Sequence, residues 1–305
     1  MIHQERPHIV RPEELAEVAT FVSAHNRDPR MQCLHTGAAD PPEAILASMR
    51  KGYGTSEMTG VIARDHGRIV GFCGAEFDLD LRRAWIWGPF ADRANDALDA
   101  GMRDELWEDL CAVLPHRVAE AHAYVNAESA DLREWYEGRG FERTQVAHIM
   151  SAPPDTLRGA RVTRAEIACN GAVDVASFSR LHHALFPNSY FEPERLLRDR
   201  DEDRLLWTDT APDGALRAYV YATVDPGEGG ACIDFVGTDP DHRGAGRARR
   251  LLLVALDRLL GERTLPEVHL VVRDELTAAR SLYESVGFRL LRTGIALRRS
   301  LDPAD

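Results

Sequence analysis

Residues 125–141 read VNAESADLREWYEGRGF, and 147 positions later residues 272–288 read VRDELTAARSLYESVGF, aligned without a gap. Val125 and Val272, Glu128 and Glu275, Arg133 and Arg280, Tyr136 and Tyr283, Glu137 and Glu284, Gly140 and Gly287, and Phe141 and Phe288 are identical pairs. The offset is close to half of the 305 residues. Two helices ending in Gly can look alike by chance, but the shared Tyr-Glu-x-x-Gly-Phe ending points to one unit used twice. A chain of this length also exceeds what one core ordinarily serves. The repeat therefore predicts two domains, 1–152 and 153–305. They join through SAPPDTLRG at residues 151–159, where Pro153-Pro154 stops helix and ladder alike.

Each half reads as mixed α/β. In the second, helices are expected over Asp174–Leu185 and Pro193–Asp199. Strands follow over Arg204–Thr208, Ala215–Val224 and Ala231–Thr238, the first two joined by a turn at residues 211–214. A helix spans Gly244–Leu260 and stops at Gly261, Val268–Val272 is a strand, and Ala278–Ser285 a helix closed by Gly287. Phe288–Leu291 and Gly294–Leu297 are expected to finish that sheet. The first half mirrors this order: helices over Pro12–His25 and Pro42–Met49, strands over Gly60–Arg64, Ile69–Phe77 and Ala84–Gly88, a helix over Asp96–Leu114, and a strand over His122–Val125 before the repeated helix. Trp85, Trp87 and Trp107 are read as packing residues.

The formal net charge of -12 argues against nonspecific nucleic-acid binding, because a phosphate backbone would be repelled. The five cysteines form no CxxC pair, so a zinc cluster is not expected and a reducing compartment is. The start lacks a basic-then-apolar signal, and no apolar run approaches the roughly 18 residues a membrane helix needs. A cytoplasmic, soluble protein is the expectation.

Against that acidic background one segment is basic: CIDFVGTDPDHRGAGRARRLLLVALDRLL, from Cys232. A strand enters, a short turn follows at Arg243, Gly244, Ala245, Gly246, Arg247 and Ala248, and a long helix begins there. Glycines let the backbone turn sharply and approach a ligand. Successive N–H groups at a helix start, with the positive end of its dipole, suit phosphate. Arg243, Arg247, Arg249 and Arg250 add positive charge. No Gly-Lys-Ser/Thr follows, so this is not a Walker motif, and the spacing is not GxGxxG. A pyrophosphate is a sensible ligand; a capped helix end with solvated arginines is the plainer alternative.

These residues resemble the GNAT acyltransferase superfamily. Residues 243–248, RGAGRA, fit its acetyl-CoA signature Arg/Gln-x-x-Gly-x-Gly/Ala, with DPDHR as lead-in. LYESVGF at 282–288 is similar to its second segment, LYxxxGF, in the expected order. The resemblance covers roughly residues 160–300, and more weakly the first half. It implies two tandem domains, each a mixed, mostly antiparallel sheet flanked by helices. Mycothiol synthases share that arrangement, though no motif here singles them out. The family often has Asn seven residues before the Tyr; this chain has Leu276.

The resemblance implies acetyl-CoA as co-substrate, no metal, and direct transfer of an acetyl group to an amine. Such an amine must lose its proton, its pKa being near ~10.4, and the departing thiolate benefits from gaining one. By family analogy Tyr283 is the candidate general acid; a core aromatic is the structural alternative. The pantetheine would pair with the strand Phe235, Val236, Gly237 and Thr238, with a backbone N–H near Val236 or Gly237 polarising the thioester carbonyl. Ala279, in the LYxxxGF helix, is a further expected cofactor contact. Asp234 is the candidate base, placed by period-two alternation on one face with Cys232, Val236 and Thr238. His182, His183, Tyr190 and Glu192 lie where the acceptor wall is expected, each more readily structural than catalytic. The acceptor, small molecule or peptide, and the choice between monomer and homodimer stay open.

At the same offset Arg243 maps to Asp96, Gly246 to Asp99 and Ala248 to Gly101. Acids there would repel a pyrophosphate and instead suit a helix start without ligand. The first copy is therefore expected to be degenerate and the second active. A non-catalytic acyl-CoA-binding protein and a mycothiol-synthase-like enzyme are the alternative readings.

Overall fold

A computed structural model describes residues 6–35, 40–92, 96–157, 167, 169–187, 189, 191–225, 230–263 and 265–302. It divides into two compact units, Met1–Ala147 with Arg292–Asp305, and His148–Leu291. No helix among the described residues is long and apolar enough to cross a membrane.

The chain begins with β1 (His8–Ile9), α1 (Leu15–Asn26), α2 (Pro42–Gly54), β2 (Met58–Asp65), β3 (Arg68–Asp78), β4 (Arg83–Ala91), α3 (Asp96–Val113), β5 (Glu120–Asn126), α4 (Ala130–Glu137) and β6 (Glu142–Ala152). It continues with α5 (Val175–Leu185), α6 (Pro193–Arg198), β7 (Arg204–Thr210), β8 (Leu216–Asp225), β9 (Gly230–Thr238), α7 (Arg247–Leu256), β10 (Val268–Arg273), α8 (Thr277–Ser285) and β11 (Arg289–Ser300).

In the first unit β2, β3 and β4 form an antiparallel meander and β4 pairs parallel with β5, Ala84 facing Ala121. In the second unit β7, β8 and β9 repeat the meander, and β9 pairs parallel with β10, Ala231 facing Val268. Both residues of that second pair lie 147 positions after their counterparts, so the repeat extends to strand register.

Amphipathic helices build each core. In α7 Leu251, Leu252, Val254, Ala255 and Leu256 are buried while Arg249 and Arg250 stay exposed. Each buried Leu or Val side chain among them contributes about 1.5–3 kcal/mol of hydrophobic stabilisation. The buried faces of α7 and α8 join β8, β9 and β10 in one cluster that includes Val220, Ile233, Leu270, Tyr283 and Phe288.

The end of the chain departs from the sequence reading. Gly294–Leu297 does not finish the second unit's sheet; β11 pairs antiparallel with β5, Gly294 facing Asn126 and Leu297 facing Ala123. Ile295 and Leu297 are buried beside Val125 and Trp135. Alternating apolar residues will bury on any sheet, so the pattern alone does not say which edge they join. Residues 148–152 of β6, absent from the sequence reading, likewise belong with the second unit.

Candidate active site

β9 carries the central irregularity. Tyr221 faces Phe235 and Ala222 faces Ile233, which leaves Asp234 as an extra residue, a β-bulge. The parallel pairing of β9 with β10 runs only from Ala231–Ile233 against Val268–Leu270. Beyond it the strands part, and a cleft of about 730 Å³ opens, lined by Val236 and Thr238 on one side and Val271, Val272 and Arg273 on the other. Such an opening exposes backbone N–H and C=O groups to which an extended amide chain can add as a strand.

At the mouth of the cleft lies the glycine turn. Asp239 caps a short 3₁₀ turn over Pro240–His242, its side chain accepting from the Asp241 N–H at 2.9 Å. Gly244 and Gly246 then take φ of 78° and 70°, the left-handed region that favours glycine. α7 starts immediately after, and its first turn has no acid. The first N–H groups of the helix have no carbonyl within it, and its dipole adds positive field. Arg243 and Arg249 line the cleft without a carboxylate partner among the described residues. Arg247 does not share that freedom: it holds Asp209 at 2.6 Å, and Arg217 binds the same carboxylate.

Asp234 and Tyr283 both line this cleft. Half-burial raises the Asp234 carboxyl from its ordinary 3.8 to about 6, against the hydroxyl of Thr223, which donates to it at 2.8 Å, and the thiol of Cys232. A carboxylate near 6 is a competent base at neutral pH. Burial pushes the Tyr283 phenol up to about 12, so it keeps its proton. Its hydroxyl makes no hydrogen bond to the described residues, whereas its repeat counterpart Tyr136 is fully buried and donates to the Gly88 carbonyl.

The bulge corrects one expectation. Asp234 does not alternate onto a common face with Val236: Thr223 holds it on the Cys232 side, while Val236 packs with the core on the other face. Gly237 has a different reason from the one the sequence suggests. A Cβ there would lie 2.3 Å from the Tyr219 ring, which occupies that space. The Tyr219 hydroxyl in turn shares a hydrogen bond with His182 Nδ1 at 2.8 Å. His182 is completely buried, packed between Phe178, Phe186 and Phe235, and burial lowers its pKa to about 4. It is a neutral packing residue. His183 and Glu192 are exposed and outside the cleft lining, and Tyr190 lies outside the described residues.

Of the expected cofactor contacts, Val236, Thr238, Arg243, Gly244, Gly246, Arg247, Ala248 and Ala279 line the cleft. Phe235 turns toward the aromatic cluster on the other face, and Ala245 is an exposed part of the turn. The sequence reading missed the β10 wall at Val271–Arg273 and also Phe186; the wall's signal is the end of the parallel strand where pairing stops. Leu276 also lines the cleft, 49% exposed at the start of α8, without a side-chain cap.

The first unit handles the same opening differently. Its own chain fills it: Asn126 donates to the Gln32 carbonyl at 3.1 Å, Leu34 donates to the Tyr124 carbonyl at 2.6 Å, and Cys33 bridges Val125. Cys33 Sγ also donates to the Ile86 carbonyl of β4 at 3.2 Å. Tyr124, Val125 and Asn126 are the repeat counterparts of Val271, Val272 and Arg273. The counterparts of Arg243–Gly246 are already helical, since α3 begins at Asp96.

Comparison with known proteins agrees with this geometry. Residues 175–288 match the model of the acetyltransferase (GNAT) family. That stretch is a GNAT domain. Segments of the chain are similar to two proteins named mycothiol acetyltransferase. One, from Nocardiopsis dassonvillei, is 38% identical over 98 residues, which is 32% of this chain and 27% of that protein. The other, from Kocuria rhizophila, is 33% identical over 119 residues, 36% of this chain and 35% of that protein. The match thus spans about a quarter to a third of those relatives, a likeness the motifs alone did not single out. Among solved structures, a GCN5-related N-acetyltransferase from Sphaerobacter thermophilus aligns with a TM-score of 0.71 at 17% identity, over 98% of this chain and 97% of its own. A tandem GNAT protein from the clavulanic acid biosynthesis pathway gives 0.65 at 15%, over 99% and 100%. At such identities these show the fold, which is of the GNAT type and reaches beyond the GNAT domain itself.

Proposed function

We propose that this protein is an acetyl-CoA-dependent N-acyltransferase whose second unit carries the reaction. The observation that supports it most is the union, in one cleft, of the parted β9–β10 edge, the glycine turn, Asp234 and Tyr283. The residues present fit acetyl-CoA: the turn offers N–H donors to the pyrophosphate, and the open strand edge offers partners to the pantetheine amides. Acetyl-CoA supplies an activated acyl carbon on a thioester. Asp234 takes the proton that an alkylammonium acceptor must lose, directly or through water. A backbone N–H of residue 236 or 237 holds the carbonyl oxygen as charge develops. As the C–N bond forms and the C–S bond breaks, Tyr283 would give its proton to the sulfur, and the second proton shed by the attacking nitrogen would return to the tyrosinate through solvent.

The first unit is read as a degenerate copy. The support is the chain segment Gln32–Leu34 lying where a pantetheine would add, together with the hydroxyl of Tyr136 tied to Gly88. A second reading, that this protein is itself a mycothiol acetyltransferase, rests on the names of the two relatives.

Calorimetric titration of acetyl-CoA into the full chain and into Gly246→Asp tests the assignment. One equivalent bound by the wild type and none by the variant, followed by thiol release with an amine panel, is expected. Two equivalents would remove the degenerate reading. Binding with no release on any acceptor would favour a non-catalytic acyl-CoA-binding protein, and no binding would end the proposal.

A further inference from the structure

A second cleft, of about 1350 Å³, lies within the first unit, away from the repeat's parted strands. It is formed by the turn before β4, the end of α3, the start of β5 and the end of β11. Five arginines line it, Arg82, Arg83, Arg139, Arg298 and Arg299, against three acids, in a chain whose net charge is -12.

Pairing of these charges is uneven. Glu120 is shared by Arg83 at 3.0 Å and Arg298 at 3.6 Å, and Arg82 reaches Asp302 at 3.4 Å. Arg139 binds Asp104, which also accepts from the Trp135 indole N–H at 2.8 Å. Arg299 has no carboxylate partner among the described residues, and Glu142, exposed on the rim, pairs with none of the five.

Two of the guanidiniums are built into place by aromatic rings. Arg139 lies 4.3 Å over the Trp135 ring and Arg299 lies 5.9 Å from the centre of the Trp107 ring. The two tryptophans meet edge to face, with centroids 6.4 Å apart, and both are buried. A guanidinium over a ring can still use its in-plane N–H donors for a planar or tetrahedral oxyanion. Arg139 spends part of its set on Asp104 and on the Trp135 carbonyl at 3.4 Å, which leaves Arg299 with the larger share to offer. Burial, and then the charge of Arg299, lower the pKa of Arg139, which Asp104 already neutralises, so the uncompensated positive charge of the pair sits on Arg299. Arg82 sits at φ 57°, an unfavourable backbone state for a side-chain-bearing residue, fixed there by its carbonyl accepting from Ala119 and Glu120.

We propose that this cleft binds a small multivalent oxyanion, a phosphate ester or a polycarboxylate, seated between Arg139 and Arg299. The assignment is independent of the reaction assigned to the second unit.

The test is calorimetry on the full-length Gly246→Asp variant, which quiets the glycine turn as a competing phosphate site, with inorganic pyrophosphate and with citrate. One equivalent of either probe is expected, weakened about tenfold or more by Arg299→Ala and less by Arg299→Lys. Pyrophosphate alone points to a phosphate ester, and citrate alone to a polycarboxylate. Cys111 provides a second readout in the wild type. It is the exposed one of the free thiols and lines this cleft, so the bound probe should slow its alkylation. Absence of saturable binding by both probes, unchanged affinity in Arg299→Ala, or no protection of Cys111 at saturating probe would each overturn the proposal. The Cys111 arm decides it even if the Arg299 variants fail to fold.

Discussion

Replacing Asp234 by Asn should stabilise the protein while disabling it. The carboxyl rises from 3.8 to about 6 because half-burial penalises its charge more than Thr223 and Cys232 compensate. At 1.36 kcal/mol per tenfold change in proton affinity, that gap corresponds to about 3 kcal/mol, and to roughly 1–2 once partial exposure is allowed for. The folded protein holds the proton more tightly than the unfolded chain does. Stability is therefore highest while the group is protonated, falls as pH rises from about 3.8 through about 6, and stays lower above. Asn carries no charge and keeps the Thr223 hydroxyl as donor. Thermal melts at pH 7.5 should show Asp234→Asn raised by roughly 2–8 °C, with the gain vanishing toward pH 4. In parallel, acetyl transfer should fall by about 10²–10⁴. The wild-type kcat/KM should climb through about pH 6. A variant less stable than wild type at pH 7.5, or a gain unchanged at pH 4, would show that the site favours the ionised carboxylate. Unaltered turnover would remove Asp234 from the chemistry.

The two repeat tyrosines should separate function from stability. Tyr283→Phe removes a hydroxyl bonded to no described residue, so turnover should drop about 10–100-fold with an unchanged melt. Tyr136→Phe leaves the buried Gly88 carbonyl without its donor and should cost about 1–3 kcal/mol in urea unfolding without touching acetyl-CoA affinity. Gly237→Ala drives a methyl into the Tyr219 ring and disturbs its bond to His182, a loss of about 1–3 kcal/mol by the same assay.

What the sequence discloses here is what local chemistry decides. The glycine turn, the acid-free start of α7 and the Gly-closed ends of α4 and α8 are written in contiguous residues, and the repeat multiplies their weight. The bulge at Asp234 is not legible, because a strand's alternation carries no sign of where an extra residue will be absorbed. Nor is the use of Gln32–Leu34: nothing in MQCLH reads as a strand, and Cys33 finds its partners 53 residues away at Ile86 and at Val125. The Arg139–Arg299 cleft is invisible for the same reason, since one cation follows α4 and the other sits on the last strand. The stretch IALR reads as a strand, but its destination is settled by which edge is open when it arrives.

That destination orders events in time. The second unit is one unbroken stretch, residues 148–291, and can close on itself as soon as it is synthesised. The first unit waits for its border, because β5 receives β11 only after the rest of the chain exists, Asn126 meeting Gly294. Contacts of such sequence separation are slow to form, so the earlier-made half should be the later to reach its final state. Until then the unsatisfied margin of β5 is a candidate for pairing with another copy. Removing residues 292–305 should make that interim state permanent, seen as loss of the first unit's cooperative unfolding and as self-association in sedimentation, with the second unit still folded.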